Sequence, residues 1–535
     1  MRQLAFLLLT CALAATAAAA DPPAPANGHG EMNHADMTAP KTPQLMSGYG
    51  TGGFPITTKV PLVQAFFDNG MQLAHAFAHK AAIAAMAEAV RLDPDCAMCL
   101  WGEAWASGPT INYGKKDAEL EPLAAMADKA AKLAKAAGTE RERALIHALQ
   151  LRYKDGGGGK PGDLAFAKAM AALAARYPED DEIAIVAADA WLMTKGETRE
   201  ETKLNADLAI PLLEKVLARS PENTGAIHFY IHATEIAGEP ARAERYADRL
   251  AALAPRASHL VHMPSHTYYW VGRYQDAADA NMRAVEIGID NAKALGLPPP
   301  DGVWGLPYHA HNVIFGLGGA LQAGDAKTAL ALGRPLVERS QVRDDAGAFS
   351  QLLAANGYFA MACFADPAAV LALPKPKLPI LTVAWHYARG EVLARKRDTT
   401  GVLAEAAAIR ALTGAIPDDG SRQAQELTFI ARNVLAGRAA MLEGRPRDAA
   451  IAFQQAAEIQ EGQSFSSVSD PPAWYYPVRR DLAEALLAAD DKAGARREAE
   501  AALAYRPRDR ASLALLEKVA GAAESAAASS ATGRR

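Results

Sequence analysis

The chain has 535 residues, half of them hydrophobic, enough for a large core or for several domains. Its formal charge of −5 and the absence of any basic cluster leave no footing for a nucleic-acid partner. Much alanine and few β-branched residues favour helices packed through small side chains and exclude a β-rich fold.

In chain order, residues 1–20 come first. Arg2, the apolar run Leu4 to Leu13 and Ala18-Ala19-Ala20 before Asp21 have the layout of a cleaved secretory signal, so a periplasmic or secreted product is expected. Cys11 follows Thr10 inside the apolar run, which does not suit a lipoprotein site. No later apolar run reaches about 18 residues, so no integral membrane segment is expected after signal removal. Residues 21–60, with Pro, Gly and Met and little periodicity, read as a disordered linker. Within it His29, Met32, His34 and Met37 interleave imidazoles with thioethers, ligands suited to copper, although chance also produces such a cluster.

Beyond the signal only Cys96, Cys99 and Cys363 remain, an odd number that rules out a complete intramolecular disulfide framework. In Cys96-Ala97-Met98-Cys99 the following Leu100 excludes haem attachment. A local disulfide is expected in an oxidising compartment, with two small buried thiols as the alternative.

A 34-residue rhythm then organises the chain. Small or bulky apolar residues recur at the twentieth, twenty-fourth and twenty-seventh positions of a unit that often ends in Pro: Ala82, Met86, Ala89 and Pro94; Ala209, Leu213, Val216 and Pro221; Ala243, Ala247, Leu250 and Pro255. Ala277, Asn281 and Ala284 follow, then Ala449, Phe453 and Ala456, then Ala495, Ala499, Ala502 and Pro507. This is the signature of the tetratricopeptide repeat (TPR), a helix hairpin that buries its apolar face only against neighbours. The predicted fold is all-α, a TPR-like helical-hairpin superhelix. Its N-terminal half spans 61–294 and its C-terminal half 306–518, divided by the proline loop at Pro298 to Pro300. Residues 519–535 read as a disordered tail.

Four histidines keep the same rhythm. His228 and His262 lie 34 residues apart, as do His232 and His266, so that two four-spaced pairs, His228 with His232 and His262 with His266, repeat one another. Each pair therefore shares a helix face, and the two faces stack in adjacent repeats. Glu235 and Tyr269 occupy equivalent places in the two units, and His259 adds a fifth imidazole. Such crowding is costly to bury as plain packing, whereas a metal ion gives every imidazole a partner. The predicted ligands are His228, His232, Glu235, His259, His262, His266 and, from Tyr308-His309-Ala310-His311, His311. Glu235 is open to three roles, as ligand, orienter of a ligand or general base, and Tyr269 is the second candidate for acid/base work. Pro264 is expected to break the second helix between His262 and His266. His386 is a further candidate for which a structural role is preferred, His75 and His79 suggest a packed helix end, and His147 reads as core.

The runs Ile227-His228-Phe229-Tyr230-Ile231-His232-Ala233-Thr234-Glu235 and His259-Leu260-Val261-His262-Met263-Pro264-Ser265-His266 resemble blocks of a group of exported bacterial TPR proteins. Phe77-Ala78-His79, Asp93 to Met98, His311-Asn312 and Pro471 to Tyr475 resemble further blocks in the same order. The resemblance implies the fold and places the histidines on first helices lining a concave groove. It implies no activity.

Two functions are thus expected. One is a metal-dependent protein, an enzyme if Glu235 or Tyr269 does acid/base work, with a divalent transition metal such as copper, zinc or iron as cofactor. The alternative is a non-catalytic scaffold whose groove binds a peptide or partner protein.

Overall fold

A computed structural model describes residues 43–154, 159–194, 196–342, 346–412, 414, 422–466 and 471–532. The signal-like segment and the His/Met cluster lie outside these residues. The described chain is a succession of antiparallel helix pairs with no β-strand, a TPR-like superhelix. The rhythm of small residues explains the packing: Ala82, Met86, Ala89, Ala209, Leu213, Val216, Ala277, Asn281 and Ala284 are all buried where one helix of a pair meets its neighbour. A Cβ on Gly70 would lie 2.7 Å from the Met86 methyl, so glycine at that position lets the first two helices, Pro61–His75 and His79–Leu92, approach closely.

The same device recurs near the C-terminus. Gly437, in the helix Arg422–Leu442, faces Phe453 of Pro446–Glu461, and an added Cβ would stand 2.4 Å from that buried ring. Gly437→Ala is expected to cost about 1–3 kcal/mol through overpacking. The check is a lowered urea midpoint at unchanged slope.

Four consecutive pairs carry the histidines or support them. Asp181–Met193 packs on Arg199–Arg219, and Thr224–Ile236 on Glu244–Leu253. In the third pair the first helix is split into Ser258–His262 and Pro264–Trp270 against Tyr274–Ala294, as Pro264 predicts, because proline supplies no N–H to continue the ladder. His309–Ala323 packs on Tyr274–Ala294 and then on Ala326–Val342. Buried apolar side chains form one large cluster from Tyr49 to Ala277, joined by Tyr308, and a second from Ala278 to Ala485. The two clusters meet within Tyr274–Ala294, ahead of the proline loop.

The ends of the chain depart from expectation. From residue 43 the segment read as a disordered linker is an extended strap: Met46 N–H donates to Asn69, Thr51 N–H to Thr224 and Thr57 N–H to Glu142. Buried amide, hydroxyl and carboxylate acceptors give its backbone the partners that low periodicity concealed. At the other end the helix Arg510–Thr532 continues through the tail expected to be irregular, consistent with the high helix propensity of alanine. The segment just before it folds back onto the third repeat, where the Tyr274 hydroxyl donates to the Pro507 carbonyl at 2.9 Å. Cys96 and Cys99 form a disulfide at the start of the helix Ala97–Ala106, and Cys363 is free.

Candidate metal site

Asn223 caps the helix Thr224–Ile236 by accepting the Ala226 N–H, and this helix presents His228, His232 and Glu235 along one face. Ser258–His262 contributes His259 and His262, Pro264–Trp270 contributes His266, and His309–Ala323 contributes His311. The structure sorts these six imidazoles into two triads. His228, His232 and His259 form one, and His262, His266 and His311 the other, each with its ligand nitrogens within 4.8 Å of one another. Rings of the two triads approach to 5.4 Å (His232 and His266) and 5.5 Å (His259 and His262), so the triads are neighbours. All six side chains are buried, which places them inside the wall of the superhelix.

The proton positions follow from the outer partners. The Asn281 Nδ2 donates to the Ala277 carbonyl, which turns its Oδ1 toward His262 Nδ1 at 2.6 Å, so His262 carries its proton on Nδ1. His266 Nδ1 donates to Glu235 Oε2 at 2.7 Å, and His228 Nδ1 to the His75 carbonyl at 2.7 Å. In each case the Nε2 lone pair is left facing inward. His262 Nε2 then stands 3.0 Å from His266 Nε2 and 2.9 Å from His311 Nε2. His259 Nε2 lies 3.2 Å from His228 Nε2.

Two lone pairs at 3.0 Å repel unless a proton or a metal ion lies between them. In the neighbouring triad protonation is disfavoured. Burial pushes His228 down to about 3, and burial with the neighbouring imidazoles holds His259 well below the usual histidine range. Imidazole nitrogens bound at about 2.0–2.1 Å to one tetrahedral ion stand roughly 3.3 Å apart, close to the observed spacing. An outer N–H given to a carboxylate, carbonyl or amide is the usual setting of a metal-bound histidine.

Each triad has an aromatic cover. Phe77 stacks on His259 at 4.9 Å and meets His228 edge-on at 4.4 Å, while Phe315 packs on His262, His266 and His311 at 4.5–4.9 Å. Tyr308 lies 4.2 Å from His259. Phe77 and Tyr308 both have left-handed backbone, with φ of +54° and +66°, a conformation that costs a bulky residue about 1–2 kcal/mol. Both strained residues lie against the same imidazole.

Among the sequence candidates, Glu235 stands outside both triads: Oε2 accepts from His266 and Oε1 accepts the Trp270 indole N–H at 2.7 Å. Both oxygens are engaged, which leaves it poorly placed as a ligand or general base. Tyr269, the second acid/base candidate, is buried against Trp270, Tyr274 and Arg506. Of the pair His309 and His311 the latter enters the triad, while His309 packs on Trp304. His75 belongs to the supporting layer, with its Nε2 2.9 Å from Glu182 and its carbonyl on His228. His386 pairs with Glu405 in the second core cluster. His147, expected in the core, is exposed on the helix Glu140–Tyr153, whose neighbouring Leu145, Ile146, Ala148 and Leu149 take the buried face.

Sequence reasoning passed over Asn281, Trp270, Phe77 and Phe315. Asn281 alone left a signal, an amide in a repeat position that elsewhere holds Met, Leu, Ala or Phe.

No protein-family model matches the sequence, and neither does any curated protein. Among solved structures the chain is similar to yeast Tom70, with 13% identity over 86% of this chain and 89% of that one at a TM-score of 0.34. It is also similar to human IFIT1 in a dimer with m7Gppp-AAAA (13% identity, 76% of this chain and 92% of that one, TM-score 0.32). The P58(IPK) TPR domain is a third, at 12% identity over 87% and 99% of the two chains, with a TM-score of 0.22.

Proposed function

We propose that this chain is a copper protein whose repeat scaffold holds two neighbouring ions, one in each histidine triad, and that the reduced pair passes two electrons to dioxygen. The observation that carries the reading is the pair of inward lone pairs on His262 and His266, fixed by Asn281 and Glu235, with His311 completing the set. Imidazole suits zinc, iron and copper alike, so charge has to decide. The donors are six neutral imidazoles, and the nearest carboxylate, Glu235, acts through His266. Two divalent ions would bring four positive charges among six buried, neutral imidazoles, whereas two Cu(I) ions bring only two. Held by the two triads, a Cu(I) pair would supply the two electrons that reduce dioxygen to the peroxide level.

Export directed by residues 1–20 would place the chain in the periplasm, a setting compatible with the Cys96–Cys99 disulfide. A peptide-binding role for the histidine grid itself is disfavoured by its burial.

Copper loading tests the reading. Full-length protein without a polyhistidine tag, loaded with Cu(I) under anaerobic conditions, should hold about two copper ions per chain. Admission of air should consume oxygen and give a magnetically coupled pair with little Cu(II) electron paramagnetic resonance signal. A copper content at or below about one per chain, or a full signal from isolated Cu(II), would overturn it. Retention of two zinc ions against excess Cu(I) would overturn the choice of metal.

A further inference from the structure

Trp270, whose indole N–H donates to Glu235, also lines a cavity of about 510 Å³, within the range that takes small organic ligands. It is formed where the C-terminal segment folds back on the third repeat. Arg199 comes from the start of Arg199–Arg219, Trp270 from the split helix, Glu461 and Ser466 from the ends of Pro446–Glu461 and Gln463–Ser466, Arg479 from Arg479–Ala488, and Ala504, Tyr505 and Arg506 from the end of Lys492–Tyr505 and the residue after it.

Arg506 is the residue that needs explaining. Two arginines, Arg152 and Arg506, are among the largest fully buried side chains. Arg152 donates to the carboxylate of Asp163 at 2.9 Å. Arg506 donates Nη1 to the Tyr505 carbonyl at 2.8 Å and lies over the rings of Tyr505 (4.1 Å), Trp270 (4.9 Å) and Tyr269 (5.5 Å). No carboxylate among the described residues pairs with it. Arg479, also in the lining, is already committed to Glu461, the one carboxylate of that lining, and to Glu498. A buried cation without an anion is costly, and aromatic faces compensate only part of that cost.

We infer that this cavity binds a small organic monoanion, a carboxylate on an aromatic or apolar body, with the carboxylate on Arg506 and the body against Trp270 and Tyr505. A single unpaired guanidinium calls for a single charge, and its fork matches a planar carboxylate. Arg199, exposed at the rim, adds attraction at the entrance. A ligand there would meet the indole that donates to Glu235, the carboxylate that holds His266.

The inference is separable from the copper reading, because binding can be measured on the metal-free full chain. Benzoate, titrated calorimetrically, should bind, and the neutral isostere benzamide should bind at least about tenfold more weakly. Arg506→Met should abolish benzoate binding. Because that variant removes a buried side chain and its folding is at risk, Ala504→Phe provides the second test: Ala504 is exposed at the cavity edge, so the larger ring fills the space from outside. Ala504→Phe should keep its melting temperature and its copper content and lose benzoate by at least about tenfold. Equal affinity for benzoate and benzamide, undiminished benzoate binding by Ala504→Phe, or tighter binding of inorganic phosphate than of benzoate would each overturn the inference.

Discussion

His262→Gln should leave the full chain holding about one copper ion where the unsubstituted chain holds about two. His262 is central to its triad, with Nε2 at 3.0 Å from His266 and 2.9 Å from His311, so its removal leaves two imidazoles without their common neighbour. Glutamine fills much of the ring volume and puts a weak amide where the imidazole offered a strong nitrogen donor. The other triad keeps His228, His232 and His259. The spectroscopic consequence runs opposite to the loss of metal. In air the remaining ion has no partner to couple with, so a Cu(II) resonance should appear that the unsubstituted chain lacks. Loss of both ions together would show that the six imidazoles hold one shared cluster, and retention of both would show that His262 is not a ligand.

The difference between the triads lies in their outer partners. His266 and His262 are held by a carboxylate and an amide side chain, while His228 is held by a backbone carbonyl. A backbone carbonyl cannot be removed by substitution, and it is supplied by His75 at the end of the first helix, just before the left-handed Phe77. The strained turn at Phe77 therefore has two tasks: it presents the His75 carbonyl to His228 and lays an aromatic ring over His259. Strain of this kind persists where the surrounding packing over-determines it, and here it lies against a proposed ligand.

Much of this was legible in the sequence. The 34-residue rhythm and its small residues define helix pairs whose apolar faces are complementary, and Ala209, Leu213, Val216, Ala243, Ala247 and Leu250 are buried as that pattern requires. The histidines at the same period fall beside one another because the repeat itself fixes which first-helix faces adjoin. Spacing put His228 with His232 on one helix face and drew all the histidines into a single cage. The structure sorts them into two triads, His228 with His232 and His259, and His262 with His266 and His311, across a helix that Pro264 splits. A local break in a helix redirects side chains without disturbing the hydrophobic rhythm that a sequence displays.

Contacts between distant segments were the least legible. Nothing in the local pattern of Arg506 distinguishes it from a surface arginine after a helix, and its burial depends on the return of the C-terminal segment to Tyr274 and Gly272. The strap from residue 43 is similar, since Thr51 and Thr57 find their partners in Thr224 and Glu142.

Glu235→Gln is expected to weaken copper binding at the His262 triad by about 10- to 100-fold and to leave the His228 triad unchanged. In the native side chain one oxygen accepts from His266 Nδ1 and the other from the Trp270 indole, both at 2.7 Å. Glutamine offers one oxygen and one amino group, so whichever way it turns, one N–H donor is confronted by another. If the amino group faces His266, the imidazole is driven to the tautomer with its proton on Nε2, the nitrogen that has to face the ion. Competition with a chromophoric Cu(I) chelator should therefore resolve two affinities in the variant. A general loss of fold would weaken both triads, so selectivity is the discriminating readout. Trp270→Phe removes the competing donor and leaves the glutamine oxygen free to accept from His266. Combined with Glu235→Gln it should recover part of the lost affinity, a coupling that double-mutant comparison measures directly. Recovery would place the effect in the hydrogen-bond relay; its absence, with selectivity retained, would place it in the lost carboxylate charge, and equal weakening of both triads would remove Glu235 from the site.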